Sequence, residues 1–133
     1  MTPRITLLVA SLHVLLYVVL SLRVVLHRKA RRIGIGSGGD EVLSRKMRVH
    51  GNFSEYVPLG LLLLALLELS GLAPALLWTF GVALLVARVL HAVGLGGSAG
   101  VSPGRFLGAL LTFVVLLAMA VTGIWRFVLP MTL

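Results

Sequence analysis

The sequence predicts an all-α integral membrane protein built as a bundle of four transmembrane helices. Of its 133 residues, 59% are hydrophobic and 12% are charged, and that charged fraction is about half of what a soluble domain carries. Four apolar runs, each long enough to cross a bilayer, occupy most of the chain. The segments between them are short and rich in glycine or proline. We therefore expect a single four-helix membrane domain over residues 1–133.

The first two helices are expected over about residues 4–27 and 41–70. Thr2-Pro3 has the form of an N-cap followed by a proline in the first turn. The apolar run that follows is too long for the core of a signal peptide, so we interpret it as a retained span. Asp40 or Ser37 is expected to cap the second helix. Pro58 removes one backbone hydrogen bond inside this helix and is expected to kink it.

The third and fourth helices are expected over about residues 75–93 and 105–129. A turn at Ser70–Pro74 precedes the third helix, and a loop at Gly94–Gly104 precedes the fourth. Small residues then recur every fourth position, at Gly100, Gly104, Gly108 and Thr112. This spacing places them on one helix face and predicts a close approach to another helix.

The net charge of +8 is concentrated around the first loop. The basic residues there are His27, Arg28, Lys29, Arg31, Arg32, Arg45, Lys46 and Arg48. The positive-inside rule places this 27–50 loop in the cytoplasm and both termini outside it. Nucleic-acid binding is disfavoured, because no folded basic domain or recognition motif is present. The absence of cysteine excludes a disulfide framework, and the four histidines lack metal-ligand spacing, so we expect no metal.

A polar stripe marks the start of the second helix. Arg45, Arg48, Asn52 and Glu55 fall within one narrow arc at 100° per residue, and Glu41 and Tyr56 lie at its edges. Charged side chains at the mouth of a transmembrane helix normally face protein or a water-filled cavity. The stripe is therefore a candidate binding site. The alternative interpretation is that these residues only anchor the helix at the membrane surface.

Glu55 and Arg88 are expected at similar depths in the hairpin of helices two and three. A carboxylate and a guanidinium at one level in a membrane are expected to pair, with His91 as a hydrogen-bond partner. The alternative is a pair that only sets the register of the hairpin. His50 lies on the opposite flank of helix two, facing a neighbouring subunit or lying alone at the membrane interface. His13, inside the first span, is expected to pack against a neighbouring helix.

Two motifs resemble the MAPEG family, the membrane-associated proteins of eicosanoid and glutathione metabolism. They are Arg48-x-His50-x-Asn52-x-x-Glu55-Tyr56-x-Pro58 on the second helix and Ala87-Arg88-x-x-His91 on the third. The resemblance covers essentially the whole chain and is greatest to the small bacterial members. It implies a homotrimer in the bacterial inner membrane, with glutathione bound between neighbouring subunits near the cytoplasmic face.

The resemblance also implies which residues bind glutathione. From one subunit, the tripeptide would be contacted by Arg48, Asn52, Glu55 and Tyr56. His50 would contact it from the adjacent subunit, and Arg28 or Lys29 would add a contact to a carboxylate. Arg45 belongs to the same polar stripe and is included in the predicted site. Arginines suit the two carboxylates of glutathione through bidentate, charge-assisted hydrogen bonds. Glu55 suits its ammonium group.

One departure from the family concerns the activation of the thiol. The leukotriene-forming branch has tyrosines before the helix-three arginine and a further arginine beyond it, where this chain has Val82, Val86 and Val93. Arg105 is the nearest candidate to stabilise a thiolate, and the catalytic residue is otherwise unassigned.

Two functions therefore stay open. The first is a glutathione transferase or peroxidase acting on lipophilic electrophiles, with lipids and lipophilic small molecules as partners. The second is a non-catalytic trimeric scaffold that keeps an anion or glutathione site without activating the thiol. A transporter is disfavoured, because the sequence shows no internal repeat and no broken helix at the bilayer midplane.

Overall fold

The computed structural model describes residues 2–97, 100 and 102–129 of the chain. Over these residues the chain forms four α-helices, each long and apolar enough to span a membrane. They are α1 (Arg4–Arg31), α2 (Glu41–Leu69), α3 (Pro74–Gly97) and α4 (Pro103–Val128). The predicted all-helical class and the four spans are confirmed. Pro130, the predicted stop of the last helix, lies outside the described residues.

The ends of α1 and α2 are set by local hydrogen bonds. α1 continues one turn beyond the expected end, because Arg32 adopts a left-handed conformation that returns its N–H to the carbonyls of Arg28 and Lys29. Basic side chains in this last turn also interact favourably with the negative end of the helix. The Asp40 carboxylate accepts a hydrogen bond from the Leu43 N–H at 2.9 Å, so Asp40 is the cap of α2. α2 then continues through Pro58 to Leu69.

The loop between α3 and α4 is shorter than expected. α3 continues through Gly97, and α4 begins at Pro103 because the Ser102 hydroxyl accepts the Arg105 N–H at 3.3 Å. The same hydroxyl donates to the Gly94 carbonyl at 2.9 Å. Ser102 therefore fastens the start of α4 to the end of α3.

The helices α2 and α3 form the centre of the bundle. α1 packs on one side of this pair and α4 packs on α3 and α2, whereas α1 and α4 do not touch over the ranges that the structure describes. One buried apolar cluster includes Leu64, Leu84 and Met119, and a second, nearer the start of α2, includes Phe53 and Leu95. The outer helix faces are largely exposed and apolar, as a lipid environment requires.

Glycine lets α3 and α4 approach closely. A Cβ atom on Gly108 would lie 2.5 Å from the His91 nitrogen and 2.7 Å from the Ala87 carbonyl oxygen. The obstructing atoms belong to the backbone of α3, so no side chain can move aside. Gly94 lies equally close to the start of α4. The predicted close packing of this small-residue face is confirmed at Gly104 and Gly108, and it brings His91 beside the N-terminus of α4.

At the opposite end of the bundle, the side chains of Glu68 and Arg126 connect neighbouring helices; neither was predicted to have a role. The buried Glu68 carboxylate accepts the N–H groups of Ile5 and Thr6 at 2.8 and 2.7 Å. A carboxylate at the N-terminus of a helix is favoured by the helix dipole. Arg126 donates to the hydroxyl and carbonyl of Ser70. These bonds tie α1 and α4 to the end of α2.

Candidate anion-binding cleft

A cleft opens where the first turns of α2 meet the end of α3 and the start of α4. Its larger part has a volume of about 380 Å³, and an adjoining part has about 350 Å³. The larger part is lined by Arg48, Asn52, His91, Ser102, Arg105, Phe106 and Ala109. The adjoining part is lined by Glu41, Ser44, Arg45, Arg48, Leu95 and Arg105. Because Arg48 and Arg105 line both parts, we treat them as one site, the cationic cleft.

The electrostatics of the cationic cleft favour an anion. Three arginines line it against one carboxylate, that of Glu41. α4 also begins in the wall of the cleft, with Ser102 as its N-cap, and the positive end of its helix dipole favours negative charge there. Within the described residues, the buried Nε of Arg45 has no hydrogen-bond acceptor. A bound anion would supply one.

Arg88 lies behind His91 and is 2% exposed. Its Nη1 donates to the Thr112 hydroxyl at 3.3 Å, and its Nη2 lies 3.4 Å from Nδ1 of His91. Its guanidinium carbon lies 5.7 Å from the ring centroid of Tyr56. Arg88 is therefore a buried cation held by neutral groups.

The prediction of an ion pair between Glu55 and Arg88 is wrong. Both residues are described, and they make no direct contact at ion-pair distance. Similar depth in the hairpin is not sufficient, because the Arg88 side chain turns towards Thr112 on α4 while Glu55 stays exposed on α2.

Of the other predicted residues, one packs against α3 and α4 and the rest lie at α1 or face it. Tyr56 packs beside Arg88 and edge-on to Phe113, with 5.5 Å between ring centroids. His50 faces α1, where its Nε2 lies 3.0 Å from the Ser21 hydroxyl. Arg28 donates to the Gly34 carbonyl at 3.3 Å, and Lys29 is exposed at the same end of α1. Neither Glu55 nor Tyr56 lines the cationic cleft, and His50, Arg28 and Lys29 also lie outside the cleft of their own chain.

A charged cluster around His27 anchors the loop that precedes α2. Lys46 Nζ lies 3.0 Å from His27 Nδ1, and His27 Nε2 lies 2.9 Å from the Asp40 carboxylate. An ammonium group only donates, so Nδ1 accepts and Nε2–H donates to Asp40. Arg31 adds an ion pair to Asp40 at 3.4 Å. The end of α1 is thereby connected to the helix that carries Arg45 and Arg48.

This cluster predicts an acid-sensitive loop. The Leu43 N–H and the His27 side chain lower the pKa of Asp40 from 3.8 to about 2. Because the folded pKa lies below the unfolded one, Asp40 stabilises the fold above about pH 4, and this contribution is lost as pH falls to about 2. Asp40→Asn retains a capping side chain but not the charge. We expect thermal unfolding in detergent to show a steeper loss of stability between these pH values for the parent than for Asp40→Asn; equal slopes would contradict the assignment.

Comparison with known proteins agrees with this architecture. The MAPEG family matches residues 6–125 of the chain. The chain belongs to the MAPEG family. It is also similar to the inner membrane protein YecN of Escherichia coli K12, with 31% identity over 116 residues, which cover 87% of each protein. The YecN protein of Escherichia coli O6:H1 matches with the same identity and coverage. The chain is thus an integral membrane protein of this family.

Four residues near the site were not predicted from the sequence. Ser102 precedes a proline in an N-cap pattern, which was a usable signal. Arg23 interrupts the first apolar run, and its guanidinium lies beside Gly96 on α3, where a Cβ would meet Nη2 at 3.6 Å. Phe106 and Ala109 carry no sequence signal for a cleft, since only the packing of α4 on α3 brings them there.

Proposed function

We propose that the protein binds glutathione in the cationic cleft and uses it as a transferase or peroxidase acting on lipophilic electrophiles. The observation that carries this proposal is the convergence of Arg45, Arg48 and Arg105 around one cleft, beside a buried Arg88 that pairs with no carboxylate among the described residues. Unpaired cations near a membrane are costly, and a ligand with two carboxylates offsets that cost.

The donor set fits the groups of glutathione. Arg48 and Arg105 suit its carboxylates through charge-assisted bonds. The Asn52 amide nitrogen already donates to the Arg48 carbonyl at 3.0 Å, which leaves Oδ1 to accept a peptide N–H of the ligand. Glu55, one turn further along α2, is the acceptor for the ammonium group. Tyr56 packs beside Arg88 and would border a bound ligand on the membrane side.

A homotrimer would complete this site. His50, Arg28 and Lys29 lie outside the cleft of their own chain and so reach a cleft only in a neighbouring subunit. The similarity to inner membrane proteins supports the same location for this chain. The positive-inside rule then places the 27–50 loop and the cationic cleft at the cytoplasmic side and the termini at the other.

Arg105 is the residue that we assign to thiolate stabilisation. Glutathione supplies a thiol, which loses its proton to water. As the thiolate, its sulfur forms a bond to an electrophilic carbon of the acceptor, and the bond from that carbon to its leaving group breaks as the group departs with the electron pair. In the peroxidase reaction the thiolate takes the outer oxygen of a hydroperoxide, the O–O bond breaks to release an alcohol after protonation, and a second glutathione thiol displaces water from the resulting sulfenic acid to give glutathione disulfide. Arg105 and the N-terminus of α4 place positive charge in the cleft wall, where a thiolate is stabilised relative to the thiol. A lipophilic acceptor would enter from the bilayer between α1 of one subunit and α4 of the next.

The alternative function is a scaffold that binds the anion without activating its thiol. The observation that favours it is the position of Val82, Val86 and Val93. All three are exposed on α3 and offer no hydrogen-bond donor, so Arg105 would have to act without the residues of the leukotriene-forming branch.

Arg48→Ala tests the proposal. Calorimetry of the detergent-solubilised protein should show a loss of glutathione affinity of about 10- to 100-fold, the value of one or two charge-assisted hydrogen bonds. Arg4→Ala, at the other end of the bundle, is the control and should bind as the parent does. Thiolate absorbance that saturates with glutathione and falls in Arg105→Met supports the enzyme. Binding without that signal supports the scaffold, and equal affinity in all variants overturns the site.

A further inference from the structure

A second recess lies on the other side of α2, between α1 and α2. It has a volume of about 340 Å³ and opens within the membrane-spanning part of both helices. We call it the α1–α2 groove; it is lined by His13, Val14, Tyr17, Phe53, Ser54, Val57, Pro58 and Leu61. Apart from three polar side chains these walls are apolar, and none of these residues lines the cationic cleft.

His13, in the wall of this groove, carries an unused hydrogen-bond acceptor. The residue is 1% exposed, and its Nδ1 lies 2.8 Å from the Val9 carbonyl oxygen. A carbonyl only accepts, so Nδ1 carries the proton, and Nε2 of the neutral ring has a lone pair. Among the described residues Nε2 has no partner. Hydrocarbon contains no water to replace one, so this orphan is costly unless a ligand donates to it.

The neighbouring side chains form an aromatic wall. The Phe53 ring lies 6.1 Å from the His13 ring and 6.0 Å from the Tyr17 ring, centroid to centroid. Tyr17 is 40% exposed, and its hydroxyl forms no hydrogen bond within the described residues. Such rings pack well against another aromatic ring. The groove thus combines an aromatic surface with one buried acceptor.

We propose that the α1–α2 groove binds a small lipophile with an aromatic ring and a hydroxyl group, the chemistry of a lipid-soluble phenol. The ring packs on Phe53 and Tyr17, and the hydroxyl donates to Nε2 of His13. An acyl chain would fill the volume but leave Nε2 unsatisfied. Val14 lines the groove next to His13 and is 57% exposed, so its side chain is free to change rotamer as the hydroxyl approaches Nε2. This site goes beyond the proposed function, since it requires no glutathione.

The test is nitrogen NMR of histidine-labelled protein in lipid nanodiscs without glutathione. The probe is 4-octylphenol, and the matched control is 4-octylanisole, which has the same shape but no O–H donor. We expect a saturable upfield shift of the His13 Nε2 signal with the phenol, and an affinity about tenfold above that of the anisole, the value of one hydrogen bond. His13→Phe assigns the signal.

Two tryptophan variants make the result specific to the groove. Val14→Trp fills the groove and should abolish the shift while His13 is still present. Leu8→Trp, on a lipid-exposed part of the same helix, should leave it unchanged. The proposal is overturned if phenol and anisole act alike, if Val14→Trp binds as the parent does, or if neither probe saturates. It is also overturned if Nε2 is already hydrogen-bonded before the probe is added, which would assign the donor to a second copy of the chain or to trapped water.

Discussion

Gly108→Ala is expected to destabilise the bundle by about 3 kcal/mol, at the upper end of the usual cost of overpacking. The added methyl group would lie 2.5 Å from a backbone nitrogen of α3, so α3 and α4 must separate. Separation also moves Arg105 away from Arg48 and opens the cationic cleft. Unfolding by sodium dodecyl sulfate, monitored by circular dichroism, measures the loss, and glutathione affinity should fall with it.

Gly123→Ala is the matched control on the same helix. Its Cβ would meet only the side chains of Leu63 and Leu67, both at 3.8 Å, which is ordinary contact. Both substitutions raise helix propensity by the same amount, so the difference between them isolates the helix crossing. Equal stability of the two variants would show that α3 and α4 do not cross as described.

Arg88→Met is expected to stabilise the empty bundle while weakening glutathione binding. Arg88 is a buried charge with only neutral hydrogen-bond partners, and its Nε has none within the described residues. Methionine fills a similar length without a charge to desolvate, so a gain of about 1–4 kcal/mol is expected, the range found when buried ion pairs are replaced by apolar residues. The cleft loses the positive potential behind His91. Denaturant unfolding and calorimetry on the same samples measure the two effects.

Arg23→Met provides the comparison for Arg88→Met. Arg23 is exposed and lies outside the cationic cleft, so its removal should leave stability and glutathione affinity nearly unchanged. A destabilised Arg88→Met would mean that Arg88 is a structural cation paired in the assembled protein. Unchanged glutathione affinity in Arg88→Met would mean that Arg88 does not contribute to the site.

The two recesses use different faces of α2. Asn52 lines the cationic cleft, whereas the next two residues, Phe53 and Ser54, line the α1–α2 groove. Successive residues of an α-helix point about 100° apart. One helix therefore presents a polar face to the cationic cleft and an aromatic face to the α1–α2 groove.

Much of the cleft follows from spacing along the chain. Arg45, Arg48 and Asn52 recur at helical intervals, and charge at a membrane boundary indicates that they face a cavity. The position of Arg105 does not follow from spacing, because it depends on the Gly108 crossing that brings the start of α4 to α2. Counting residues from the turn between α2 and α3 predicted how far along α3 Arg88 lies. It did not predict the direction of the Arg88 side chain, which is set by its contacts with Thr112 and His91.

The amino-acid sequence by itself determined the four spans, the basic first loop and the polar face of α2. These features depend on local hydrophobicity and on the fixed period of the helix, and both can be derived from neighbouring residues. The tertiary structure alone decided that three arginines share one cleft, that Glu68 caps α1 and that Nε2 of His13 has no partner in the described chain. Each depends on how two helices cross, and that is set by packing between residues far apart in sequence.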